Sequence, residues 1–282
     1  MSWSIIREQG SWRFSQIILI VPLVIVLTVA GTGCGTMRSG RAWGENAANP
    51  FAWERIPQAA KNAALDPLTW VPLLGAGVVA AGGWDHDISD WATEHTPVFG
   101  SKDRAEDYSD IAHYVLLGEG VGTALLTPSG GDSGDWARAK GKGLLVEGVA
   151  IGVTYGTTVG LKIATGRDRP DHVEDDAMPS GHAALAFSGS ALANRNLDYI
   201  DMNSCARTGL KVANVAVATS VAWARVESKK HFPTDVLVGA ALGNFTTRFI
   251  YDAFIGTKPD DSFTFYVEPG VSGGKIFLSW MF

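Results

Sequence analysis

Six long stretches almost free of charged side chains dominate the sequence between Leu68 and Phe254. Each stretch is rich in apolar residues and has a length typical of helices. They run near Leu68–Gly83, Ile111–Leu126, Gly143–Lys162, Gly181–Ala193, Leu210–Arg225 and Asp235–Phe254. The pattern predicts an all-α fold in which a helical bundle forms the core.

The same stretches bear on membrane insertion. Most of their uncharged runs are shorter than the roughly 20 apolar residues that a bilayer requires, and Glu119, Glu147 and Arg248 interrupt them. We therefore expect these helices to be buried against one another in a bundle, with membrane-embedded helices as the alternative.

The carboxyl terminus has a different pattern. Phe263, Phe265 and Val267 alternate with polar residues, and apolar residues alternate again from Ile276 onwards. The turn-forming segment Pro269–Gly274 lies between the two runs. Alternation with a period of two on both sides of a turn predicts a short β-hairpin.

The amino terminus resembles an export signal. Arg7 and Arg13 precede the apolar run Ile17–Ala30, whose 14 residues fit the core of a signal peptide better than a membrane span. Small residues then lead to Cys34, in a pattern that resembles a lipoprotein cleavage site with Cys34 as the lipidated residue. We therefore predict an exported, periplasmic protein of the cell envelope, anchored to the membrane surface as a lipoprotein. Ordinary cleavage and an uncleaved anchor are the alternatives.

These patterns divide the chain into four parts. Residues 1–34 are interpreted as a signal peptide of lipoprotein type, 35–66 as a tether and amphipathic segment, 67–256 as the helical domain, and 257–282 as the C-terminal hairpin. The charge balance argues against a nucleic-acid partner, because 23 basic residues stand against 29 acidic ones. Affinity for a phosphate must therefore come from a local pocket.

The first of three polar clusters closes the third apolar stretch. Lys162 lies on the last predicted turn of a helix, and six residues separate it from Arg169-Pro170. Gly166 is placed to cap this helix in the left-handed conformation, and Pro170 cannot continue it. Lys162 and Arg169 can both reach one anion, Arg169 as a planar fork and Lys162 as a point charge. Basic residues also favour a helix C-terminus for structural reasons alone.

The second cluster is Pro179-Ser180-Gly181-His182, which leads directly into an apolar run and predicts a helix start. Ser180 is a natural N-cap. A helix N-terminus attracts phosphate oxygens, and Gly181 lets the backbone approach a ligand closely. His182 is placed to give a proton to a departing oxygen. The alternative is an ordinary capped helix with an exposed histidine.

The third cluster contains Arg225, His231 and Asp235. Five residues separate Arg225 from His231, and three separate His231 from Asp235. If a helix begins at Pro233, His231 lies in the preceding turn, and Asp235 can reach back to its ring. A carboxylate bonded to one imidazole nitrogen fixes the tautomer and makes the other nitrogen a better nucleophile. Asp235 is also favoured at a helix N-terminus for structural reasons.

Other polar residues are interpreted as structural or solvent-facing. The acidic residues between the first two clusters are expected to form a solvated loop: Asp171, Glu174, Asp175 and Asp176. The histidines without a complete metal-ligand spacing are expected to be structural or exposed: His86, His95, His113 and His172.

Together, the three clusters resemble the tripartite signature of the type 2 phosphatidic acid phosphatase superfamily, which also contains bacterial class A acid phosphatases and vanadium haloperoxidases. The spacings and the order agree with that signature from Lys162 to Asp235. The sequence departs from it at Ala224, where the family usually has Ser, and at Ala183, where Thr or Ser is common. One hydroxyl contact is therefore expected to be missing.

The resemblance implies a metal-independent phosphatase without a cofactor, which hydrolyses a phosphomonoester or pyrophosphate of a small molecule or lipid. His231 would attack phosphorus to form a phosphohistidine, Asp235 would hold its ring, and His182 would protonate the leaving group. The groups around the phosphoryl oxygens would be Lys162, Arg169, Ser180, Gly181 and Arg225. A mildly acidic optimum is expected. Two alternatives stay open: a vanadate-dependent haloperoxidase and a non-catalytic lipoprotein that binds phosphorylated lipid.

Overall fold

The fold is that of a computed structural model of the chain. The structure describes residues 42–45, 47 and 54–256, together with the backbone of residues 264–268 and 275–279. The predicted signal peptide with Cys34 lies outside the described residues, as do residues 35–41, 46 and 48–53 of the predicted tether and amphipathic segment.

Residues 54–256 form eight α-helices. They are α1 (Ile56–Leu65), α2 (Pro67–Gly82), α3 (Asp85–His95), α4 (Lys102–Leu126), α5 (Ser133–Thr165), α6 (Gly181–Leu197), α7 (Ser204–Glu227) and α8 (Pro233–Phe254). Side chains cap several N-termini, as where Asp66 accepts a hydrogen bond from the backbone N–H of Leu68 at 3.0 Å. The all-helical fold expected from the sequence is confirmed for this part of the chain.

Helix α6 packs against α4, α5, α7 and α8, and most of its residues are buried. Small residues at the contacts let its backbone approach α8 closely. A Cβ on Gly243 of α8 would lie 2.0 Å from the carbonyl oxygen of Ala184, and one on Gly239 would lie 2.5 Å from that of Ser180. The start of α8 therefore lies against the start of α6, which brings the second and third clusters together.

The core beneath this end of the bundle is built largely from alanine. It joins side chains of α3, α4, α6, α7 and α8, with Tyr108, Leu116 and Phe187 among the larger members. Ala183 and Val236, next to the second and third clusters, belong to the same core. The polar clusters thus rest on closely packed helices, which limits how far their side chains can separate.

Helix boundaries were harder to predict than the presence of the apolar helices. The hydrophobic pattern did not predict α3, and α4 and α5 begin well before their apolar stretches. The extra turns carry charged residues, such as Asp87 in α3 and Lys102 in α4, so hydrophobic runs do not reveal them.

Two short strands follow the helices. β1 (Thr264–Glu268) and β2 (Lys275–Ser279) pair antiparallel, with Thr264 opposite Ser279. The connection between the strands lies outside the described residues. The C-terminal hairpin as a unit, and the predicted domain boundaries, stay predictions.

Packing buries only one stripe of α5. Its buried residues include Gly143, Glu147, Ala150, Thr154 and Thr158. Large apolar residues on its other faces are exposed, namely Leu145, Val149, Val153, Tyr155, Leu161 and Ile163. Of the most apolar 18-residue part of this helix, only 28% is buried. The expectation that packing in a bundle buries these apolar stretches is therefore wrong for α5, because its neighbours cover a single face.

Among the described residues, α5 is the one helix that is long and apolar enough to cross a membrane. Helices α1 and α2 meet the same criterion together, with a bend of 52° between them. Helix α2 also exposes a group of apolar side chains, namely Trp70, Val71, Leu73, Leu74 and Val78. The bundle therefore presents large apolar surfaces.

Candidate active site

The carboxylate of Asp176 joins the two cations of the first cluster. Gly166 caps α5 in the left-handed conformation, with a φ of 49°, as the sequence predicts. Lys162 Nζ lies 3.0 Å from Asp176 Oδ2, and Arg169 Nε lies 2.6 Å from Asp176 Oδ1. Arg169 Nη1 also lies 2.6 Å from Glu174 Oε2. This segment is a largely exposed loop, as expected, but Asp176 and Glu174 also form ion pairs with these cations, which the sequence did not predict.

Ser180 caps α6, as predicted, and links the second cluster to the third. Its hydroxyl accepts a hydrogen bond from the backbone N–H of Ala183 at 3.5 Å. The backbone N–H of Ser180 donates to the carbonyl oxygen of Asp235 at 3.0 Å. Gly181 follows as the first helical residue. The two helix starts that carry Gly181 and Asp235 are thus joined by a backbone hydrogen bond.

The ring of His231 is held by a backbone carbonyl. His231 lies between α7 and α8 and is only 1% exposed. Its Nδ1 is 2.7 Å from the carbonyl oxygen of Ala177, whereas Asp235 Oδ2 is 3.9 Å from the same nitrogen. Because a carbonyl oxygen only accepts hydrogen bonds, Nδ1 carries the proton and Nε2 keeps its lone pair. The contact that the sequence analysis assigned to Asp235 is therefore made by Ala177.

Asp235 caps the start of α8 and pairs with Arg167. Its Oδ2 accepts a hydrogen bond from the backbone N–H of Phe232 at 2.7 Å, and its Oδ1 lies 2.6 Å from Arg167 Nη1. Arg167 also donates to Thr234 Oγ1 at 2.7 Å and pairs with Asp85 Oδ2 at 2.8 Å. Burial raises the pKa of Asp235 to about 6, although the charge of Arg167 lowers it. Arg167, which the sequence analysis did not single out, ties the loop after α5 to α8.

Helix α4 supplies polar groups that the sequence analysis also missed. Asp110 Oδ1 lies 2.9 Å from His182 Nε2 and 3.2 Å from Arg225 Nη1. Ser109 Oγ accepts a hydrogen bond from Arg225 Nη1 at 3.1 Å. The ring of His113 meets the ring of His182 edge-on, with 4.5 Å between centroids. The spacing of Asp110 and His113, which places both on one helix face, was the available signal.

Both imidazoles of the site lie in the field of the same three cations. Burial lowers the pKa of His231 well below its ordinary value, and the charges of Arg225, Lys162 and Arg169 lower it further. Burial and then the charge of Arg225 are also the main causes that lower the pKa of His182, to about 3. Both rings are therefore neutral near neutral pH in this structure.

The structure thus brings the three clusters to one end of the bundle. Three cations and a helix N-terminus can bind a phosphoryl group. His231 adds a neutral ring nitrogen with a free lone pair, which can act as a nucleophile. In the described part of the chain, no group of three or more His, Cys, Asp or Glu side chains is arranged to hold a metal ion.

A family model described as the PAP2 superfamily matches residues 143–256. These matched residues are called the PAP2 segment below. The family resemblance seen in the sequence is thereby confirmed.

Over 107 residues, or 38% of this chain, the sequence is 32% identical to lipid A 1-phosphatase of Porphyromonas gingivalis. The chain covers 23% of that relative, which is about a quarter of its length.

A solved structure also aligns with the chain. It is a transmembrane PAP2 type phosphatidylglycerolphosphate phosphatase from Bacillus subtilis, with 21% sequence identity and a TM-score of 0.49. The alignment covers 65% of this chain and 92% of that chain.

The PAP2 segment contains every site residue named from the sequence, from Lys162 to Asp235. It does not include Asp110, which lies on α4. Ala183 and Ala224, where the sequence departs from the family signature, are both fully buried in the hydrophobic core. At Ala224 a methyl group therefore packs in the core where the family usually has a hydroxyl.

Proposed function

We propose that this protein is a phosphatase that hydrolyses a phosphomonoester or pyrophosphate of a lipid through a phosphohistidine on His231. The observation that carries the proposal is the state of this residue. His231 has its proton on Nδ1, held by Ala177, and its free Nε2 lies in the field of cations from two separate clusters. A neutral nucleophile among fixed positive charges is suited to attack on a negatively charged phosphoryl group. The PAP2 match over residues 143–256 supports the same reaction.

In the first step, His231 Nε2 donates its lone pair to phosphorus while the bond from phosphorus to the leaving oxygen breaks. The free His182 ring is neutral, so it takes up the proton that the phosphate monoanion brings and transfers this proton to the leaving oxygen. The leaving group therefore departs as an alcohol or a protonated phosphate. The cations stabilise the negative charge on the equatorial oxygens, and the N-terminus of α6 contributes backbone N–H groups. These cations are Lys162, Arg169 and Arg225.

In the second step, water attacks phosphorus and gives a proton to the now neutral His182. The bond between phosphorus and Nε2 breaks, its electron pair returns to His231, and inorganic phosphate leaves. Asp235, with Oδ2 3.9 Å from Nδ1, provides negative charge near the ring while the ring carries the phosphoryl group. Its contribution is electrostatic and does not need a direct hydrogen bond.

The exposed face of α5 supports a lipid substrate. Between Lys142 and Lys162 lie 19 residues, 143–161, whose single charged side chain, Glu147, is buried. At about 1.5 Å per residue this face is about 28 Å long, which is close to the roughly 30 Å of a bilayer's hydrocarbon core. We infer that this face contacts a membrane. Lys162, at its end, would then place the phosphate site at the level of lipid headgroups.

The cell envelope is the location proposed for this activity. The predicted export signal and lipid anchor at Cys34 would bring the domain to a membrane surface, and the apolar faces of α2 and α5 would hold it there. Cys34 itself lies outside the described residues.

Phosphate release tests the proposed reaction. The full-length protein, purified in detergent, is assayed with phosphatidic acid and with a soluble phosphomonoester in the presence of EDTA. We expect release by the wild type, and a loss of at least about 1,000-fold in His231→Ala. His95→Ala, an exposed histidine on α3, is the matched control and should retain full activity.

Other outcomes identify the alternatives. Turnover that survives in His231→Ala would reject this residue as the nucleophile. Binding of phosphorylated lipid without any release would favour the non-catalytic lipoprotein. Halide oxidation that appears only with added vanadate would favour the haloperoxidase.

Membrane extraction tests the inferred contact. In a Cys34→Ser background, which removes the predicted lipid anchor, we expect the wild-type bundle to stay with membranes after alkaline washing. Replacing both Val149 and Val153 by Lys should release it, because these side chains are exposed on the apolar face of α5. Ala137→Lys, exposed on the same helix before Lys142, is the control. Equal extraction of all three proteins would contradict the inference.

A further inference from the structure

Asp110 occupies a position at the site that neither the three clusters nor the PAP2 segment explains. It lies on α4, and its side chain is 51% exposed. A half-exposed carboxylate usually contributes little to folding. Here, however, its Oδ1 contacts both the histidine of the second cluster and the arginine of the third, at 2.9 Å from His182 Nε2 and 3.2 Å from Arg225 Nη1.

The contact between Asp110 and His182 determines which ring nitrogen of His182 carries the proton. A carboxylate offers only acceptor atoms, so Nε2 at 2.9 Å from Asp110 is favourable when Nε2 carries a proton. Nδ1 is then the nitrogen left for the substrate. The ring of His113 packs edge-to-face with that of His182, with 4.5 Å between centroids, which restricts rotation of the His182 ring. Asp110 and His113 thus hold one side of the imidazole.

The negative charge of Asp110 also affects the protonated form of His182. The positive charges of Arg225, Arg169 and Lys162 all disfavour a protonated His182. Asp110 places a negative charge next to the same ring. A proton donor in such a cationic site needs a counter-charge of this kind, because otherwise the imidazolium is electrostatically unfavourable.

We propose that Asp110 is a positioning residue for His182, which holds Nε2, directs Nδ1 towards the leaving oxygen and supplies the counter-charge for the protonated ring. This inference rests on the proposed phosphatase function. The proton still passes from His182 to the leaving oxygen in the first step and from water to His182 in the second. Asp110 itself neither gains nor loses a proton.

Leaving-group dependence separates this role from a structural one. We expect Asp110→Asn to lower kcat about 10- to 100-fold for an alkyl phosphate, whose alcohol must be protonated as it leaves. The loss for p-nitrophenyl phosphate should be less than about threefold, because nitrophenolate can depart without a proton. Asp107→Asn, an exposed carboxylate on the same helix, should leave both rates unchanged.

The combination with His182→Ala gives a further test. If Asp110 acts through His182, the double variant Asp110→Asn/His182→Ala should be no slower than His182→Ala alone. Equal losses on both substrates in Asp110→Asn would overturn the proposal. A lower KM with unchanged kcat would also overturn it, because Asp110 would then only compete with phosphate for Arg225.

A spectroscopic measurement on His182 tests the role of Asp110 without relying on turnover. In nitrogen-15 spectra of the ring, we expect Asp110→Asn to shift the His182 titration to lower pH by at least about half a unit, because one negative charge is removed. An unchanged titration would contradict the proposal even if the wild type is active. A wild-type protein that releases no phosphate from either substrate would instead contradict the phosphatase function itself.

Discussion

Arg167 and Asp235 form an ion pair between the first and third clusters, with Arg167 Nη1 2.6 Å from Asp235 Oδ1. The carboxylate side chain is fully buried, whereas that of Arg167 is 28% exposed. The same guanidinium lies 2.8 Å from Asp85 Oδ2. One arginine therefore compensates two acidic groups and connects the loop after α5 to α3 and α8.

We expect Arg167→Ala to lower the free energy of unfolding by on the order of 2–4 kcal/mol, because it leaves the buried carboxylate of Asp235 without its cation. The partial exposure of Arg167 keeps the loss below that of a fully buried pair. Urea unfolding of the purified protein measures the change. Arg138→Ala, an exposed arginine on α5, should change stability by less than about 0.5 kcal/mol.

A double variant checks the cause of that loss. Adding Asp235→Asn to Arg167→Ala should restore part of the stability, since the uncompensated charge is then absent. Losses that simply add would show that Arg167 stabilises the fold by another route.

Asp176 forms ion pairs with Lys162 and Arg169, two of the cations that are proposed to bind phosphate. Asp176→Asn should therefore lower the inhibition constant of inorganic phosphate about three- to tenfold, because phosphate no longer displaces a carboxylate from Lys162 and Arg169. Isothermal calorimetry or inhibition kinetics measures this constant. Asp175→Asn, an exposed neighbour, should leave it unchanged. Weaker phosphate binding in Asp176→Asn would mean that Asp176 positions the cations for the substrate.

The pH dependence should follow the protonation of the substrate. The pKa of His182 is lowered to about 3, so above that pH its ring is neutral before substrate binds. The proton for the leaving group must then arrive on the phosphate monoanion, whose pKa is about 6. The lowered pKa of His231 keeps the nucleophile neutral over the same range.

We therefore expect kcat/KM for a soluble phosphomonoester to fall about tenfold per pH unit above roughly pH 6. Initial rates at low substrate concentration, from about pH 4 to pH 9 at constant ionic strength, provide the measurement. A plateau that extends to about pH 8 would show that the dianion is productive and that His182 is protonated in the free protein.

The close approach of α6 and α8 predicts a strong effect at Gly239. Gly239→Ala would place a Cβ 2.5 Å from the carbonyl oxygen of Ser180, and this backbone atom can yield only if the helices separate. We expect a loss of about 1–3 kcal/mol in stability, together with a lower kcat because the second and third clusters move apart. Gly156→Ala on α5 meets open space and should be neutral or stabilising by up to about 1 kcal/mol. Thermal unfolding and phosphate release measure both effects, and similar results for the two variants would contradict the packing argument.

Features that depend on chain neighbours were predictable from the sequence. Ser180 caps α6, Gly166 caps α5 and α8 begins at Pro233, as expected. Caps and helix breakers act within about one turn, so the residues that cause them are adjacent in the chain. The spacing of the three clusters carried the family resemblance for the same reason.

Contacts between distant elements were not predictable in this way. A periodic pattern indicates which face of a helix is apolar, but it does not specify which helix covers that face. The exposed side of α5, the approach of Asp110 to His182 and the pairing of Arg167 with Asp85 all depend on how the helices dock.

The surroundings of His231 show most clearly which features the sequence determined and which the tertiary structure determined. Residue types and spacing were enough to single out the imidazole, the three cations and the helix start that are proposed to surround a phosphate. Long-range packing placed the carbonyl of Ala177 at 2.7 Å from Nδ1 and left Asp235 Oδ2 at 3.9 Å. Oδ2 of Asp235 accepts instead from the N–H of Phe232, and its Oδ1 pairs with Arg167. Local chemistry thus supplies the reactive groups, whereas the hydrogen-bond partner of each group is set by whichever buried atom the docked helices bring nearest.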